Sequence, residues 1–402
     1  MKRNIDKNSL WFFVLVFFIF SCSSSKKTVQ APAPVVKPPV TTEVKPVVPQ
    51  KPEPPKQLNF TLLLPLDLKK QFVVDTTTDA ETPIDMSALN QLHFLEGAML
   101  AVDSLKHKGI NINLKTHDTA IDSFSLTNLF YQKDVMASNF IFAAFNTSFY
   151  TAAADIAQKH NNKIIFTQPA PSSTIKQNKN VYLAVPTTTT QCALAAEFVL
   201  SNFGDAKKFV VNRDIKREKD LAEIFKSKFG TNPVSYLTWS QAKEDSLINS
   251  LSKTLHNVII ITSSDEAFVS PFLNKINSFN MANITILGLP TWENFESIDF
   301  SSLKNLNIDY FSSMYFDAGS ASVSAFRKKF LSTYNTGPMN SAFLGFELVN
   351  YFAKQMMDEK KPDEFSLSLL PFKFLNDTPE NGFENKTIHI LQVKEYAISK
   401  KN

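Results

Sequence analysis

FTLLLPL, at residues 60–66, is a run of apolar residues interrupted only by one threonine and one proline. A continuous apolar run of this length is typical of a strand that is buried on both faces, as in a parallel sheet. A helix is predicted next, with Ser87 as its cap and Gly109 at its end, because apolar residues recur there at helical spacing: Leu89, Leu92, Leu95, Met99 and Val102. Alternating apolar residues at 110–114 then predict a second strand that ends at Asp118.

The same alternation of strand and helix patterns continues along the chain. Further candidate strands are residues 139–145, 163–167, 181–185, 208–212, 234–238, 257–262 and 284–288, and candidate helices between them are 150–160, 191–203, 216–229, 245–255 and 266–279. Strand–helix units of this length build parallel sheets with right-handed crossovers. Because one set precedes and another follows residue 186, we expect an α/β fold of two doubly wound lobes. Ligands of such sheets bind at the carboxyl ends of the strands, which between two lobes predicts a cleft.

The first residues have the pattern of an export signal. Lys2, Arg3 and Lys7 precede an apolar stretch at 10–20, and Cys22 follows in the sequence SCSSSKK. An apolar helix of this length rises only about 16 Å, roughly half of a bilayer core, so it does not predict a membrane span. The pattern resembles a bacterial lipoprotein signal, in which residues 1–21 are removed and Cys22 carries lipid. An ordinary cleaved signal with a chance cysteine is the alternative.

The lipoprotein interpretation predicts a location. Several acyl chains would hold the protein on a membrane surface, so we expect a cell-envelope protein that is lipid-anchored, faces the periplasm and lies at the outer rather than the inner membrane. Residues 22–57 would be the lipidated N terminus and a linker. Residues 31–57 contain nine prolines and no glycine, which favours an extended polyproline II stalk. The second cysteine, Cys192, stands in an apolar stretch and is expected to be a buried core residue.

Composition and motifs argue against several function classes. The chain has 42 basic and 38 acidic residues, a net charge of +4, which is too close to balance to indicate nucleic acid as a partner. The six histidines show no metal-ligand spacing, and there is no phosphate loop, nucleophile elbow or glycine-rich dinucleotide turn. The sequence therefore predicts no catalytic residue, no metal and no cofactor, and we expect a protein that is not an enzyme.

Several stretches, in the same order along the chain, resemble the type I periplasmic-binding-protein fold, the group of Leu/Ile/Val-binding proteins and receptor ligand-binding domains. LLLPL at 62–66 and FLEGAMLAVDSL at 94–105 look like its first strand and helix, and LKTHDT at 114–119 is similar to its second strand. FRKKFLSTY at 326–334 and GFELV at 345–349 are similar to its returning helices. GFENKTIHI at 382–390 resembles its closing hairpin in the form seen in envelope lipoproteins of Bacteroidetes-type bacteria.

The resemblance covers residues 58–402 and implies two lobes, each built from two separate segments of the chain. Lobe I would hold about 58–185 and 312–360, lobe II about 186–311 and 361–402, and three crossovers would form a hinge. A hinge beside an open cleft closes on a ligand because the ligand makes better contacts in the closed state. The resemblance implies a non-catalytic solute-binding lipoprotein that works with an ABC permease and binds a small polar ligand such as an amino acid.

Candidate ligand residues follow from the same resemblance in lobe I. Amino-acid binders of this fold hold the ligand carboxylate after two strands, where this chain has Asn146, Thr147 and Ser148, then Ser172 and Ser173. Hydroxyl groups and free backbone N–H groups at the start of a helix suit an anion. The alternative is that Thr147 or Ser148 only caps the helix that follows.

In lobe II, polar residues also follow predicted strands. Asn212 ends one strand and Asp265 follows another, and an acid there would suit a ligand ammonium group. Asp265 has helix capping as its alternative role. Trp292 is a candidate to stack on a ligand, with core packing as the alternative.

A different function remains open from the sequence. Similar folds occur in outer-membrane lipoproteins that activate peptidoglycan synthases, and a long proline-rich stalk would lift a domain towards the cell wall. In that case the partner would be a peptidoglycan synthase, and the cleft would be vestigial or regulatory.

Overall fold

The computed structural model describes residues 57–68, 85–120, 125–145, 147–240, 244–357, 369–394 and 397–401. All of them belong to the compact unit Pro54–Asn402. The predicted signal at 1–21, the lipidation site Cys22, the proline-rich linker up to residue 56 and the ligand candidate Asn146 lie outside the described residues.

Two seven-stranded sheets form the framework. The first contains β1 (Gln57–Leu64), β2 (Asn111–Asp118), β3 (Phe140–Ala143), β4 (Lys163–Phe166), β5 (Val181–Leu183), β11 (Phe374–Leu375) and β12 (Phe383–Asn385), in the order β11-β12-β5-β4-β3-β1-β2. The second contains β6 (Lys207–Asn212), β7 (Val234–Thr238), β8 (Asn257–Ile261), β9 (Ile284–Gly288), β10 (Leu306–Ser312), β13 (His389–Lys394) and β14 (Ala397–Lys400), in the order β14-β13-β10-β9-β8-β6-β7. Pairing is parallel except for β11–β12, β10–β13 and β13–β14.

Helices flank both sheets. They are α1 (Met86–His107), α2 (Leu126–Phe130), α3 (Lys133–Met136), α4 (Tyr150–Lys159), α5 (Thr188–Asn202), α6 (Lys216–Phe229), α7 (Glu244–Ser250), α8 (Glu266–Asn277), α9 (Ala321–Tyr334) and α10 (Asn340–Met357). Short 3₁₀ helices cover Thr147–Phe149, Ser172–Ile175, Pro290–Asn294 and Phe300–Ser302. This is the predicted α/β architecture of two lobes. Among the helices that the structure describes, none is long and apolar enough to cross a bilayer.

The opening apolar run is buried on both faces, as predicted. Phe60, Leu62 and Leu64 join the core that includes residues of α1 and α10, whereas Leu63 joins a second core with α2 and α4. The helix after it begins two residues earlier than a cap at Ser87 implies, because the Asp85 carboxylate accepts the Ser87 N–H at 2.8 Å and Asp85 is the N-cap residue. A two-faced burial of this kind requires helices on both sides of the first sheet.

The helices α1 and α10 approach each other very closely. Gly97 of α1 faces the Ala342 carbonyl, and Gly345 of α10 faces the Phe94 carbonyl, so a Cβ at either glycine would overlap the opposing backbone. Glycine is needed at both positions because no side chain fits between the two backbones. This contact holds the returning helix α10 against α1.

The chain passes between the two sheets three times within the described residues: after β5, after β10 and after β12. The first and third crossovers are joined by a buried carboxylate. Glu384 accepts the Thr187 N–H at 2.6 Å and the Thr190 hydroxyl at 2.8 Å, and Lys386 donates to it at 2.6 Å. The charge-assisted bonds hold the pKa of Glu384 below its ordinary value although burial alone would raise it. Two of the three crossovers that were predicted to form the hinge are therefore linked by buried hydrogen bonds.

The C-terminal region differs from the prediction. Residues 361–402 were expected in lobe II, but β12 pairs in parallel with β5, so β11 and β12 belong to the first sheet and only β13 and β14 extend the second. The predicted hairpin at 382–390 is wrong for the same reason, because its two strands lie in different sheets. The actual hairpins are β11–β12 and β13–β14.

Candidate functional site

The carboxyl ends of the parallel strands carry loops from both sheets. In the first sheet, the Asp118 carboxylate accepts the N–H groups of Leu66 at 3.0 Å, Asp67 at 3.2 Å and Leu68 at 3.0 Å. Asp118 thus fixes the start of the loop after β1 and has a structural role. These three hydrogen bonds keep the backbone at the end of β1 in one position.

The candidate residues of the first sheet follow β3 and β4 in the chain. The 3₁₀ helix Thr147–Phe149 follows β3, and Ser148 is exposed. Ser172 and Ser173 open the 3₁₀ helix after β4 and are also exposed. The N-cap residue of α4 is Phe149, which makes no side-chain capping bond. Ligand binding by these residues stays a prediction.

In the second sheet, the acidic candidate already has a partner. Arg213 lies beside β6 and donates from Nη1 to Asp265 Oδ2 at 2.6 Å and from Nε to Glu218 Oε1 at 3.0 Å. Its guanidinium group also lies 5.0 Å from the ring centre of Phe268. The hydrogen bond from Arg213 lowers the pKa of Asp265. Asp265 caps α8 as well, through the Ala267 N–H at 3.0 Å.

The capping alternative therefore accounts for Asp265. A ligand ammonium group at this position would have to compete with an arginine that is held by two carboxylates and an aromatic ring. No sequence pattern indicates this ion-pair cluster, because its members come from a strand end and two helices that are adjacent only in the fold.

Asn212 and Trp292 are both buried. The Asn212 amide donates to the Leu237 carbonyl at 3.5 Å, while its Oδ1 has no hydrogen-bond partner among the described residues. Trp292 is only 2 % exposed, and its Nε1 donates to the Ser263 carbonyl at 3.0 Å. Its ring fills the space over Gly288, where a Cβ would overlap it. Core packing therefore accounts for Trp292, and its ring face is not presented for stacking on a ligand.

A cavity of about 480 Å³ lies where the second crossover joins the two lobes. Lobe II contributes Tyr310 and Leu391 from its sheet and Glu293 from the segment after β9. The crossover contributes residues 314–319, and lobe I contributes Arg327 of α9 and Asn340 at the start of α10. A cavity of this size fits a small molecule. Because both lobes line it, a change in their relative position would change its shape.

The cavity carries charges of both signs. Glu293 and Asp317 are acidic, Arg327 is basic, and the apolar part of the lining includes Met314 and Phe316. The hydroxyl of Tyr310 is buried and has no hydrogen-bond partner among the described residues. A buried hydroxyl without a partner is costly.

None of these cavity residues was a sequence candidate. Glu293 stands next to the predicted Trp292, and Arg327 lies in the stretch 326–334 that was assigned to a returning helix, but no motif marks either of them, Tyr310 or Asp317 as a ligand residue. The crossover after β10 brings them together, and that strand was not predicted. Within the described ranges, no group of three or more histidine, cysteine, aspartate or glutamate residues is arranged to hold a metal ion.

No protein-family model and no curated protein matches the chain. Solved structures match its fold. A protein from Rhodospirillum rubrum assigned as a branched-chain amino acid ABC transporter has a TM-score of 0.61 at 15 % identity, covering 86 % of this chain and all of that one. A substrate-binding protein from Desulfitobacterium hafniense, solved with Leu, gives 0.53 at 13 % identity over 86 % and 100 % of the two chains. A periplasmic ligand-binding protein from Burkholderia xenovorans gives 0.54 at 13 % identity over 86 % and 95 %.

These neighbours are type I periplasmic binding proteins, and the chain has their two-lobed α/β fold. The expectation of that fold, made from the sequence, is confirmed. At these identities the similarity establishes the fold alone.

Proposed function

We propose that the chain is a lipid-anchored solute-binding protein that holds a small amphoteric solute, such as an amino acid, between its lobes without transforming it. The observation that carries the proposal is the cavity shared by both lobes, which offers one guanidinium group and two carboxylates within a partly apolar lining. A zwitterion with an apolar side chain has the complementary set of groups. The fold supports the proposal, because its structural neighbours include a substrate-binding protein solved with Leu.

Each end of the solute has a counterpart in the cavity. Arg327 would accept the carboxylate, because a guanidinium group matches a carboxylate with two parallel hydrogen bonds. Glu293 and Asp317 would pair with the ammonium group, and the Tyr310 hydroxyl would gain the partner it lacks. Closure of the lobes would then be stabilised by contacts that exist only when both lobes hold the same molecule.

Isothermal titration of the full chain against the amino acids tests this proposal. Replacing Arg327 with Gln should weaken binding about 10- to 100-fold, the usual loss for a charge-assisted hydrogen bond. The matched control is Arg217→Gln, an exposed arginine of α6 outside the cavity, which should leave the affinity unchanged. Absence of binding by every amino acid would contradict the proposal, as would equal losses in the two variants.

The anchor and location form a separate part of the proposal. The cysteine after the apolar N-terminal stretch supports a lipid anchor at Cys22 in the cell envelope, facing the periplasm, and an ABC permease as partner. Metabolic labelling with a radioactive fatty acid should mark the wild-type chain and not the Cys22→Ser variant. Equal labelling of both would contradict the anchor.

The proline-rich residues 31–57 favour a second candidate, an envelope protein that regulates a peptidoglycan synthase. If this stretch is extended as polyproline II, it would reach about 80 Å. Affinity capture with the intact protein separates the two candidates: recovery of a permease supports solute uptake, and recovery of a wall synthase supports regulation.

A further inference from the structure

Helix α1 carries apolar residues on the face that points away from the core. Its inner face, with Phe94, Ala98, Ala101 and Leu105, is buried in the first lobe. On the outer face, Leu92 is 39 % and Met99 is 49 % exposed. Leu92 and Met99 are thus apolar side chains that the lobe leaves exposed, on a face that also carries the exposed Asp103 and Lys106.

The outer apolar residues are regularly spaced. Leu92, Leu95, Met99 and Val102 follow one another at intervals of three, four and three residues. This is the a/d spacing of two heptads, which aligns them in one seam along the helix. Leu95 and Val102 are half-buried, on the flank of the seam that packs against the core. Such a seam fits another helix better than it fits a loop or a small ligand.

We propose that this seam, Leu92–Leu95–Met99–Val102, binds the same seam of a second copy of the chain in antiparallel orientation. A two-fold axis near the middle of the seam would set Leu92 of one copy opposite Val102 of the other, and Leu95 opposite Met99. Each copy then contributes the same surface, as a two-fold interface requires.

The charges at the two ends of α1 favour a second copy as the occupant. The exposed Asp85 caps the N terminus, and the exposed Lys106 and Lys108 stand at the C terminus. In the antiparallel pair, Lys106 of one copy lies level with Ala88 of the other, about one helical turn from Asp85. The acidic end of each helix therefore meets the basic end of its mate, whereas a parallel pair would place like charges together.

Sedimentation equilibrium of the full chain in a density-matched detergent tests the proposal. We expect a monomer–dimer equilibrium over about 1 to 100 µM, the range of a modest interface. Met99→Glu should weaken the dimer about thirtyfold, because it places a charge in an apolar seam. A two-fold interface contains this substitution twice, once from each copy. Lys106→Glu should also weaken it, since it sets like charges against Asp85.

A matched control is available on the same lobe. Met136 of α3 is 47 % exposed, almost the same as Met99, and lies outside the seam. Met136→Glu should leave the dimer constant unchanged, and circular dichroism should show all variants folded. A wild-type chain that stays monomeric at the highest concentration would overturn the proposal, and so would an equal loss in Met136→Glu and Met99→Glu.

Discussion

The buried Glu347 predicts that the stability of the fold falls as the pH rises through neutrality. Glu347 lies on α10, is only 5 % exposed, and its Oε1 has no hydrogen-bond partner among the described residues. Burial raises the pKa of this carboxyl from 4.5 to about 7, although backbone N–H groups of Leu369 and Leu370 act in the opposite direction. A pKa displaced by that amount corresponds to about 3 kcal/mol between the charged and neutral forms.

The direction of the effect follows from proton linkage. The folded state holds the Glu347 proton more tightly than the unfolded chain does, so its contribution to stability is complete below pH 4.5 and is lost as the pH rises through about 7. Glu347→Gln removes this titration. The free energy of unfolding of the variant should therefore rise by about 2 to 3 kcal/mol relative to wild type between pH 5 and pH 8. Urea denaturation at a series of pH values measures this difference.

Glu384 is the matched control, because it is equally buried but has the opposite pKa displacement. Its folded pKa is lowered, so its contribution is present above the unfolded value and is lost only as the pH falls through the lower folded value. Glu384→Gln should destabilise the protein by a similar amount throughout pH 5 to 8. A Glu347→Gln difference that is independent of pH over that range would refute the reasoning.

Two further predictions concern packing and reactivity. Gly97→Ala should cost about 3 kcal/mol of unfolding free energy in thermal or urea denaturation, because its Cβ would overlap the backbone of α10; Gly204→Ala, which meets open space, is the control and should cost far less. Cys192 is fully buried, and burial raises the pKa of its thiol to about 12. In a Cys22→Ser chain, where Cys192 is the only thiol, it should react with a thiol reagent at least about 100-fold more slowly before unfolding than after it; equal rates would contradict its burial.

Local patterns predicted the regular elements well. The helix at 216–229 and the strands at 234–238 and 284–288 have the predicted bounds, because each is a simple periodic segment with clear ends. The helix predicted at 245–255 ends at Ser250. Beyond it, the side-chain amide of Asn257 accepts the Ser252 N–H and donates to the Ser252 carbonyl, each at 2.8 Å, and so holds this backbone in a turn. A side chain beyond the pattern decides that end.

Elements that depend on distant partners were missed. The strand β10 was not predicted because its sequence, LNIDYFS, places Asp309 inside the sheet, where Lys401 compensates it at 2.7 Å from a position more than ninety residues away. The wrong hairpin at 382–390 has the same cause, since β12 and β13 pair with strands that the sequence pattern does not connect to them. The candidate site shows the same division. Polar residues at strand ends were identified, but the cavity depends on the crossover after β10, and the Arg213 cluster depends on contacts between a strand end and two helices.

The placement of β12 and β13 has a consequence for biosynthesis. The strand β5 gains its second neighbour only when β12 forms, where Phe383 pairs with Tyr182. In the same way, β10 gains its second neighbour only when β13 forms, where Val393 pairs with Ile308. A nascent polypeptide with this wiring acquires its final order only when nearly all of it has left the ribosome. Such delayed maturation would keep the polypeptide unfolded for the export route proposed above, and until synthesis ends β5 and β10 are edge strands, each unpaired on one side.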